Sequence, residues 1–479
     1  MNHDLITLAP LAILGLGGVV VFCLGAFWPN RPKGWLWGLS VLAALATLVI
    51  ETPAFRAYGL TGMIDSGDYG LFFALVITAI VIASLLFLKH YASPRGFDGD
   101  ELYGLILLAG LGMILAAAAA NWIVFFLGFE LLSISLYVLA AVNRADAGST
   151  EAGLKYFVMG AVAGGFLAFG LALLYAATGT LDIKSALSAI DADRIPLALL
   201  AFCFIMAGIG FKLSFFPFHL WTPDVYQGAP APVVAFLSTG AKVSLFAFLM
   251  RIAVAAPEPI WSALMPALWL LAAATIVIGN VTALRQSNLK RRLAFSSIAQ
   301  MGYLLMALVV IRPDGLAAMM FYLAAYAVMD LGAFGILGSY SREGKDLGAL
   351  DDYQGLGYAY PWRSAGMTLC LLSLAGLPPT AGFIGKLLIF KSALAGNAPV
   401  LALIGILAAI VSLYYYMEVI VFLYMREPEG AATATASRLT DRIAWTLVAG
   451  LVLFLGLAPS PLIAGVNRIA SVVLTGVGM

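Results

Sequence analysis

Long apolar runs, separated by short polar stretches, fill almost the whole chain. A membrane-spanning helix needs roughly 20 mostly apolar residues, and on this rule the sequence predicts an all-α polytopic membrane protein with about fourteen transmembrane helices. The helices are expected at about 5–27, 34–50, 69–88, 102–119, 121–142, 151–178, 196–226, 232–254, 260–284, 289–311, 315–340, 362–395, 399–425 and 442–458, and a short tail follows the last.

The first apolar run is expected to remain in the protein as a transmembrane helix. No lysine or arginine precedes residues 5–27. The run is also longer than the roughly 7 to 15 apolar residues that form the core of a signal peptide.

Two predicted helices, the seventh and the twelfth, are unusually long and contain internal prolines. The seventh includes residues 210–232, GFKLSFFPFHLWTPDVYQGAPAP, with Pro217 and Pro223, and the twelfth includes GLPPTAG at 376–382. Proline removes a backbone donor and clashes with the preceding turn. Each helix is therefore predicted to be a pair of half-helices around a break, with a simple packing kink as the alternative. Because non-helical backbone persists in hydrocarbon only against protein or water, the breaks are candidate functional sites.

The two predicted breaks fall at corresponding places in two groups of helices. Each lies in the fourth helix of a five-helix group, and an odd-numbered repeat enters the membrane from the opposite side the second time. The sequence thus predicts an N-terminal three-helix segment at 1–101, a first antiporter-like five-helix repeat at 102–255, an inverted second repeat at 256–426, and a C-terminal helix and tail at 427–479.

Composition excludes several classes of protein. The chain is 62% hydrophobic and 11% charged, whereas a soluble domain has about 25% charged residues. The net charge is +1 and the basic residues are scattered, so no nucleic-acid partner is expected. The three cysteines are isolated, no GxGxxG occurs, and Lys386 lacks the upstream glycine of a phosphate loop, so no disulfide, metal or nucleotide site is expected. A GxxxG pair, Gly160 and Gly164, indicates helix packing.

Lysine and arginine are distributed unevenly between the two ends of the predicted helices. Loops after odd-numbered helices hold fifteen of them, and the loops on the other side hold six. The richer side is cytoplasmic by the positive-inside rule. Both termini are therefore predicted to be periplasmic.

The remaining basic residues lie inside predicted helices, and all are lysines, namely Lys155, Lys212, Lys242, Lys386 and Lys391. Charge inside a membrane is costly and is usually functional. Arginine keeps its charge, whereas a buried lysine can exchange a proton near neutral pH. This choice of residue favours proton transfer.

Carboxylates also lie inside predicted helices, at Glu130, Asp330 and Glu418. A carboxylate a few ångströms from a lysine is worth roughly 4 kcal/mol at an effective dielectric constant of about 20. Forming or breaking such a pair would therefore switch a buried lysine between its charged and neutral forms.

These residues together predict a proton relay. Glu130 is expected to tune Lys212, which passes a proton through water to Lys242. Polar groups such as His219 then pass it toward Lys386 in the second broken helix.

Each candidate also has a purely structural interpretation. Lys386 and Lys391 are five residues apart, which places them roughly 140° apart around a helix of 3.6 residues per turn. The structural alternatives are a buried ion pair for Glu130, packing for Asp330 and Glu418, snorkelling to the membrane interface for Lys155 and Lys391, and satisfaction of a freed carbonyl for His219.

Four segments carry a family resemblance that covers essentially the whole chain. They are the helix around Glu130, KLSFFPFHLWTPDVY, STGAKVS around Lys242 and GLPPTAGFIGKL around Lys386. In this order they resemble the N subunits of bacterial proton-pumping NADH:quinone oxidoreductase, homologues of mitochondrial subunit 2. The lysine at Lys386 fits subunit N, since glutamate would be expected there in subunit M.

The resemblance implies a role in the membrane arm of a complex in the cell inner membrane. It implies that Glu130, Lys212, Lys242 and Lys386 form a central axis, with Lys155 as an additional lysine. It also implies that NADH, FMN, iron–sulfur clusters and quinone are bound by partner subunits, and that the neighbours include antiporter-like and small multi-helix membrane subunits.

Two other functions compete with this expectation. One is a subunit of a multisubunit sodium/proton antiporter, which has the same fold but a different amino-acid sequence in the broken helix. The other is a scaffold that anchors an arm without conducting, against which the lysines inside the helices argue, because a scaffold gains nothing from buried charge.

Overall fold

The fold comes from a computed structural model, which describes residues 2–28, 34–57, 59–60, 62–97, 99–310, 313–342, 345–427 and 439–474. Some of the basic residues that were counted for the orientation lie outside these ranges, namely Arg31, Lys33, Arg312 and Arg438.

Helices make up nearly all of the described chain. Those before the first break are α1 (Asn2–Phe27), α2 (Trp35–Phe55), α3 (Asp68–Ala92), α4 (Asp100–Ala118), α5 (Trp122–Ala140), α6 (Ala147–Thr178), the short α7 (Ile183–Ser188) and α8 (Ile195–Leu213). Those between the two breaks are α9 (Trp221–Gly228), α10 (Ala231–Ala255), α11 (Glu258–Ala283), α12 (Leu289–Val309), α13 (Pro313–Leu337), the short α14 (Leu356–Ala359) and α15 (Pro361–Ala375). Those after the second break are α16 (Ala381–Ala395), α17 (Pro399–Met425), α18 (Leu439–Leu457) and α19 (Ser460–Leu474).

A small hairpin connects α13 to α14. Its antiparallel strands are β1 (Ser341–Arg342) and β2 (Lys345–Asp346). Asp346 accepts hydrogen bonds from Tyr91, Arg95 and Lys290, which ties the hairpin to α3 and α12.

The predicted spans match the observed helices in order. Twelve helices of the described residues are long and apolar enough to cross a membrane. The predicted twelfth helix is the pair α15 and α16, each 15 residues long, and the predicted fourteenth is α18. The chain is therefore a multi-pass membrane protein.

The first break separates α8 from α9 and confirms the predicted interruption of the seventh helix. The helix ends at Ser214, which adopts a left-handed conformation with φ of 62°. The hydroxyl of Thr222 donates to Ser214 Oγ at 2.7 Å, and Trp221 Nε1 donates to the carbonyl of Phe211 at 2.7 Å. Pro223 lies in the first turn of α9, where no backbone donor is needed, so it does not cause the break.

The second break separates α15 from α16 and confirms the predicted interruption of the twelfth helix. Gly376 ends α15 with φ of 87°, a conformation that glycine adopts without steric cost. Helix α16 starts after Thr380. The carbonyls at the end of α15 are thus left without partners within their own helix.

Three helices form the centre of the molecule. The apolar stretches of α10 and α12 are completely buried, and that of α13 is almost completely buried. Most of the other spanning helices expose much of their apolar surface, as membrane-facing helices do, while α3 and α4 are mostly buried. Polar residues on α10, α12 and α13 are therefore enclosed by protein.

The predicted short tail is wrong in one respect, because most of it forms α19. The chain turns by 74° between α18 and α19. Val466, Ala470 and Val473 follow helical spacing and are buried where α19 packs against α13 and α3. The polar residues between them obscured this amphipathic helix in the sequence.

Candidate functional site

Lys212 lies in the last turn of α8, next to the first break. Its residue is 2% exposed, and its Nζ lies 4.3 Å from the centre of the Tyr137 ring and 4.4 Å from that of Tyr156. No described residue accepts a hydrogen bond from Nζ. The faces of two phenol rings stabilise a cation at this place, worth about 2 kcal/mol or more where water is excluded.

Glu130 lies on α5 and is half-buried against α6. It interacts electrostatically with Lys212, yet no described carboxylate lies within 4.0 Å of that lysine. Gly164 on α6 makes room for the carboxylate, since a Cβ at that residue would lie 2.6 Å from Glu130 Oε1. Gly160, one turn earlier, makes room for the Tyr137 hydroxyl in the same way. The GxxxG pair was predicted to serve helix packing. In the structure, its two glycines also leave space for the polar side chains of Tyr137 and Glu130 on α5.

Lys242 lies at the middle of α10 and is 1% exposed. Its Nζ donates to Ser297 Oγ on α12 at 2.5 Å, and Ser297 shares a 2.6 Å hydrogen bond with the hydroxyl of Tyr326 on α13. Asp330 on α13 is equally buried and interacts electrostatically with Lys242. Asp330 accepts a 2.5 Å hydrogen bond from Ser238 on α10. A lysine, a carboxylate and three hydroxyls are thus enclosed together.

Lys386 lies on α16, and its side chain reaches across the second break to the end of α15. Its Nζ donates to the carbonyl of Leu374 at 2.7 Å and to that of Ala375 at 3.2 Å, at the end of α15. Gly376 permits this approach, because a Cβ there would lie 2.9 Å from Lys386 Cδ. Gln300 on α12 donates to the same Leu374 carbonyl at 3.1 Å. A carbonyl oxygen has two lone pairs and accepts both bonds.

Two pairs of polar residues, one on α12 and one on α13, lie between Lys242 and Lys386, and we call each pair a ladder. Ser297 and Gln300 are three residues apart on α12, and Tyr322 and Tyr326 are four apart on α13, so each pair shares one helix face. Tyr322 donates to Gln300 Oε1, and Tyr326 meets Ser297. Polar side chains therefore extend from Lys242 to Lys386.

The sequence did not reveal these four ladder residues. Serine, glutamine and tyrosine at helical spacing also occur in ordinary buried packing. Their shared position becomes visible only once α12 and α13 are known to be neighbours.

The region between Lys212 and Lys242 is aromatic. Tyr156 stacks on Trp221 with ring centres 4.4 Å apart, and Trp221 packs edge-on against Tyr226 at 6.2 Å. The ring of Tyr226 lies 5.7 Å from Lys242 Nζ. Among the described residues, nothing bonds to the buried hydroxyl of Tyr226. Buried polar atoms of this kind are usually satisfied by ordered water.

Lys155 and His219 lie beside these contacts. Lys155 is exposed on α6 and forms ion pairs with Glu151 at 2.7 Å and with Asp224 of α9 at 3.1 Å. His219 lies in the first break and is 5% exposed, with its ring 5.6 Å from that of Phe216. Its Nδ1 has no partner among the described residues. The observed contacts connect neither residue to Lys242 or Lys386.

The two remaining charged candidates have structural surroundings. Lys391 is exposed on α16, as its angular separation from Lys386 predicts. Glu418 on α17 accepts a hydrogen bond from the buried Arg292 at 2.5 Å. Within the described ranges, no group of three or more histidines, cysteines or carboxylates could hold a metal ion.

Comparison with known proteins agrees with this geometry. Residues 119–412 match the family described as NADH:quinone oxidoreductase/Mrp antiporter, transmembrane. The chain is 42% identical to NADH-quinone oxidoreductase subunit N 1 of Solidesulfovibrio magneticus, over 97% of this chain and 98% of that protein. It is 41% identical to NADH-quinone oxidoreductase subunit N of Geotalea uraniireducens, over 97% of this chain and 99% of that protein.

Solved structures show the same fold. A chain of respiratory complex I from Thermus thermophilus superposes with a TM-score of 0.82 at 34% identity, covering 95% of this chain and 98% of that one. A chain of the Mrp complex from Dietzia sp. DQ12-45-1b has a TM-score of 0.84 at 19% identity, covering 100% of this chain and 98% of that one, and this likeness shows the fold alone.

The matched segment and the broken helices define an antiporter-like membrane subunit. The chain belongs to the NADH:quinone oxidoreductase/Mrp antiporter family and, within it, to the N subunits of NADH-quinone oxidoreductase. It is thus a membrane subunit of a multisubunit oxidoreductase complex.

Proposed function

We propose that this chain carries protons across the membrane while partner subunits carry out the redox chemistry. One observation carries the proposal: Lys212, Lys242 and Lys386 are buried in the protein, and none has a carboxylate within 4.0 Å among the described residues. A lysine that is buried without such a partner has lost the interaction that best holds its proton, so proton exchange is the expected chemistry.

The four central residues have separate roles in this proposal. Lys212, Lys242 and Lys386 hold the proton in turn, and Glu130 favours the charged form of Lys212. Water bridges the aromatic stretch between Lys212 and Lys242, where polar atoms lack protein partners.

Between Lys242 and Lys386, the proposed proton route is lined by hydroxyl and amide groups. Ser297 and Tyr326 connect Lys242 to the α13 ladder, and Tyr322 and Gln300 line the way to Lys386. Water completes the transfer to Lys386, because the Leu374 carbonyl only accepts hydrogen bonds and cannot pass a proton on. Asp330 attracts the proton to Lys242. This route replaces His219 as the connection to Lys386, and roles for His219 and Lys155 stay predictions.

The wider setting is part of the proposal and is supported by the family membership and by the distribution of basic residues. The chain lies in the bacterial inner membrane with both termini periplasmic, beside antiporter-like and small multi-helix subunits. NADH, FMN, iron–sulfur clusters and quinone belong to partner subunits. The segments 102–255 and 256–426 form the inverted repeats, which is supported by the breaks at α8/α9 and α15/α16.

The test compares Lys212→Ala with Lys345→Ala, which removes an exposed lysine from β2. Both variants are assembled into the complex in membrane vesicles, and proton uptake is recorded during NADH oxidation. Lys212→Ala is expected to lower proton pumping and quinone-coupled turnover, and Lys345→Ala is expected to leave both unchanged. Wild-type proton pumping and quinone-coupled turnover in an assembled Lys212→Ala complex would contradict the proposal. Sodium uptake in place of proton uptake would favour the antiporter alternative.

A further inference from the structure

A second set of buried polar side chains reaches Lys386 from α11 and α17. It consists of Tyr415 on α17, Asn280 on α11 and Tyr303 on α12, each 1% exposed. Tyr415 donates to Asn280 Oδ1 at 3.1 Å, and Asn280 Nδ2 donates to the hydroxyl oxygen of Tyr303 at 3.3 Å. We call these three residues the asparagine bridge. The proposed route from Lys242 to Lys386 does not include them.

Asn280 suits the middle of the bridge because its amide can accept and donate hydrogen bonds at the same time. Besides the bond to Tyr303, its Nδ2 donates to the carbonyl of Ile276, one turn earlier on α11, at 2.8 Å. The amide thereby uses both N–H groups and its oxygen, which fixes the plane of the side chain. A leucine of similar size could make none of these bonds, so the hydroxyl of Tyr303 would lose this partner.

The ring of Tyr303 lies against α16. Its centre is 5.1 Å from Lys386 Nζ, and Phe390, one turn later on α16, packs edge-on against it with ring centres 6.0 Å apart. A cation within about 6 Å of an aromatic ring centre is attracted by the face of the ring. The bond from Asn280 holds the outer end of Tyr303, so it limits how far the ring can move from the ammonium group.

Few other groups favour the charged form of Lys386. Its hydrogen bonds go to two carbonyls at the end of α15, and no described carboxylate lies within 4.0 Å of Nζ. The helices packed around α16 also bring Tyr322 of α13 and Tyr416 of α17 to the site, and the hydroxyls of both bond to Gln300. The face of the Tyr303 ring is therefore an important support for the charged lysine.

We propose that Asn280 is a positioning residue for proton exchange at Lys386. It holds Tyr303 against α16, and the ring in turn favours the charged form of the lysine. Tyr415 holds the amide from the side of α17. The inference rests on the proposed function, since it concerns the proton that Lys386 takes up and releases during turnover.

The experiment measures quinone-coupled turnover of the assembled complex in membrane vesicles across a range of pH. The test variant is Asn280→Leu. Without its partner the ring moves away from the ammonium group and Lys386 becomes harder to protonate, so the optimum is expected to move roughly one unit to lower pH. A purely structural role of Asn280 would lower the thermal midpoint of the complex and leave the pH optimum in place.

Tyr340→Phe is the matched control for the loss of a buried hydrogen bond. Tyr340 shares a 2.7 Å hydrogen bond with Ser364 of α15. Ser364 lies ten residues before Leu374 on the same helix, which is roughly 15 Å along its axis. The control is expected to keep the wild-type optimum. An equal shift in Tyr340→Phe and Asn280→Leu would overturn the inference.

A second pair of variants covers the case in which Asn280→Leu does not assemble. Tyr415→Phe removes the donor to Asn280 Oδ1 but keeps the ring, and Tyr414→Phe removes the hydroxyl of the exposed tyrosine that precedes it. Tyr415→Phe is expected to move the optimum to lower pH by a smaller step, and Tyr414→Phe is expected to leave it unchanged.

Lys386→Ala separates failure of the inference from failure of the proposed function. Suppose that the assembled Lys386→Ala complex loses coupled turnover, while Asn280→Leu, or Tyr415→Phe in its place, keeps the wild-type pH optimum. The inference is then overturned and the proposed function stands. Wild-type turnover in Lys386→Ala would overturn the proposed function and the inference with it.

Discussion

Lys386 on α16 and Leu374 on α15 lie on opposite sides of the second break, and Lys386 Nζ donates to the Leu374 carbonyl at 2.7 Å. A helix C-terminus carries partial negative charge, which stabilises a nearby cation. The proton on Lys386 therefore also holds together the ends of two half-helices. Loss of that proton leaves two N–H donors but removes the charge that strengthens both bonds, so the protonation of Lys386 and the geometry of the break are linked.

Gly164 and Gly165 provide a matched pair of substitutions beside Glu130. A Cβ at Gly164 would lie 2.6 Å from Glu130 Oε1, whereas a Cβ at Gly165 meets nothing within 4 Å. Gly164→Ala is expected to displace the carboxylate and to lower proton pumping several-fold, and Gly165→Ala is expected to keep it. Proton uptake by vesicles measures both. Equal activity of the two variants would show that the position of Glu130 does not matter.

The aromatic rings around Lys212 should matter for its charged form. Tyr156→Leu removes the ring that lies 4.4 Å from Nζ and is worth about 2 kcal/mol to a desolvated cation. Tyr156→Phe keeps the ring and serves as the control. Coupled turnover, measured across a range of pH, should fall in Tyr156→Leu with its optimum moved to lower pH, because the lysine is then harder to protonate. An unchanged pH profile in Tyr156→Leu would argue against the role of the ring.

The hydroxyl of Tyr326 is a single group of the α12–α13 route that one substitution can remove. Tyr326→Phe keeps the ring but removes the hydroxyl that bonds to Ser297. The Tyr326 hydroxyl also donates to the Ser238 carbonyl at 3.3 Å. Tyr353→Phe is the control, because it removes a buried hydroxyl that donates to the Leu347 carbonyl but lies outside the route. We expect proton uptake to fall only in Tyr326→Phe. Equal losses in both variants would indicate a general effect on packing.

Glu418 should affect stability more than proton transfer. Arg292 is 4% exposed at its side chain, and Glu418→Gln removes its charged partner. The loss is expected to cost roughly 1–3 kcal/mol, since the arginine keeps its bonds to backbone carbonyls. The thermal midpoint of the purified complex should therefore fall while protons pumped per electron stay unchanged. The reverse pattern would place Glu418 on the proton route.

Much of the fold could be predicted because the length and hydropathy of an apolar run are enough to identify a membrane-spanning helix. The broken helices were visible for the same reason, since prolines interrupt an apolar run that is too long for one span. Pro217 marked the first break, which covers residues 214–220, but it did not give the first residue of the break, because the chain leaves the helix at Ser214. Pro223, the other proline of the prediction, lies in the next helix. Helix α19 was missed because its apolar residues are interspersed with polar ones.

The candidate site was predictable only where charge made it conspicuous. Buried lysines stand out in an apolar sequence, and Lys212, Lys242 and Lys386 proved to be enclosed by protein. The resemblance to subunit N pointed to the same residues. The ladder between Lys242 and Lys386 depends on which helices are neighbours, and helix spacing alone does not determine that.

The most direct measurement of the central claim is the number of protons pumped per NADH oxidised by complexes that carry Lys386→Ala or Lys391→Ala. The two lysines lie on the same helix, but one is buried against the end of α15 and the other is exposed. The proposed route predicts a lower ratio, or loss of coupled turnover, for Lys386→Ala and the wild-type ratio for Lys391→Ala. A wild-type ratio and rate in an assembled Lys386→Ala complex would contradict it.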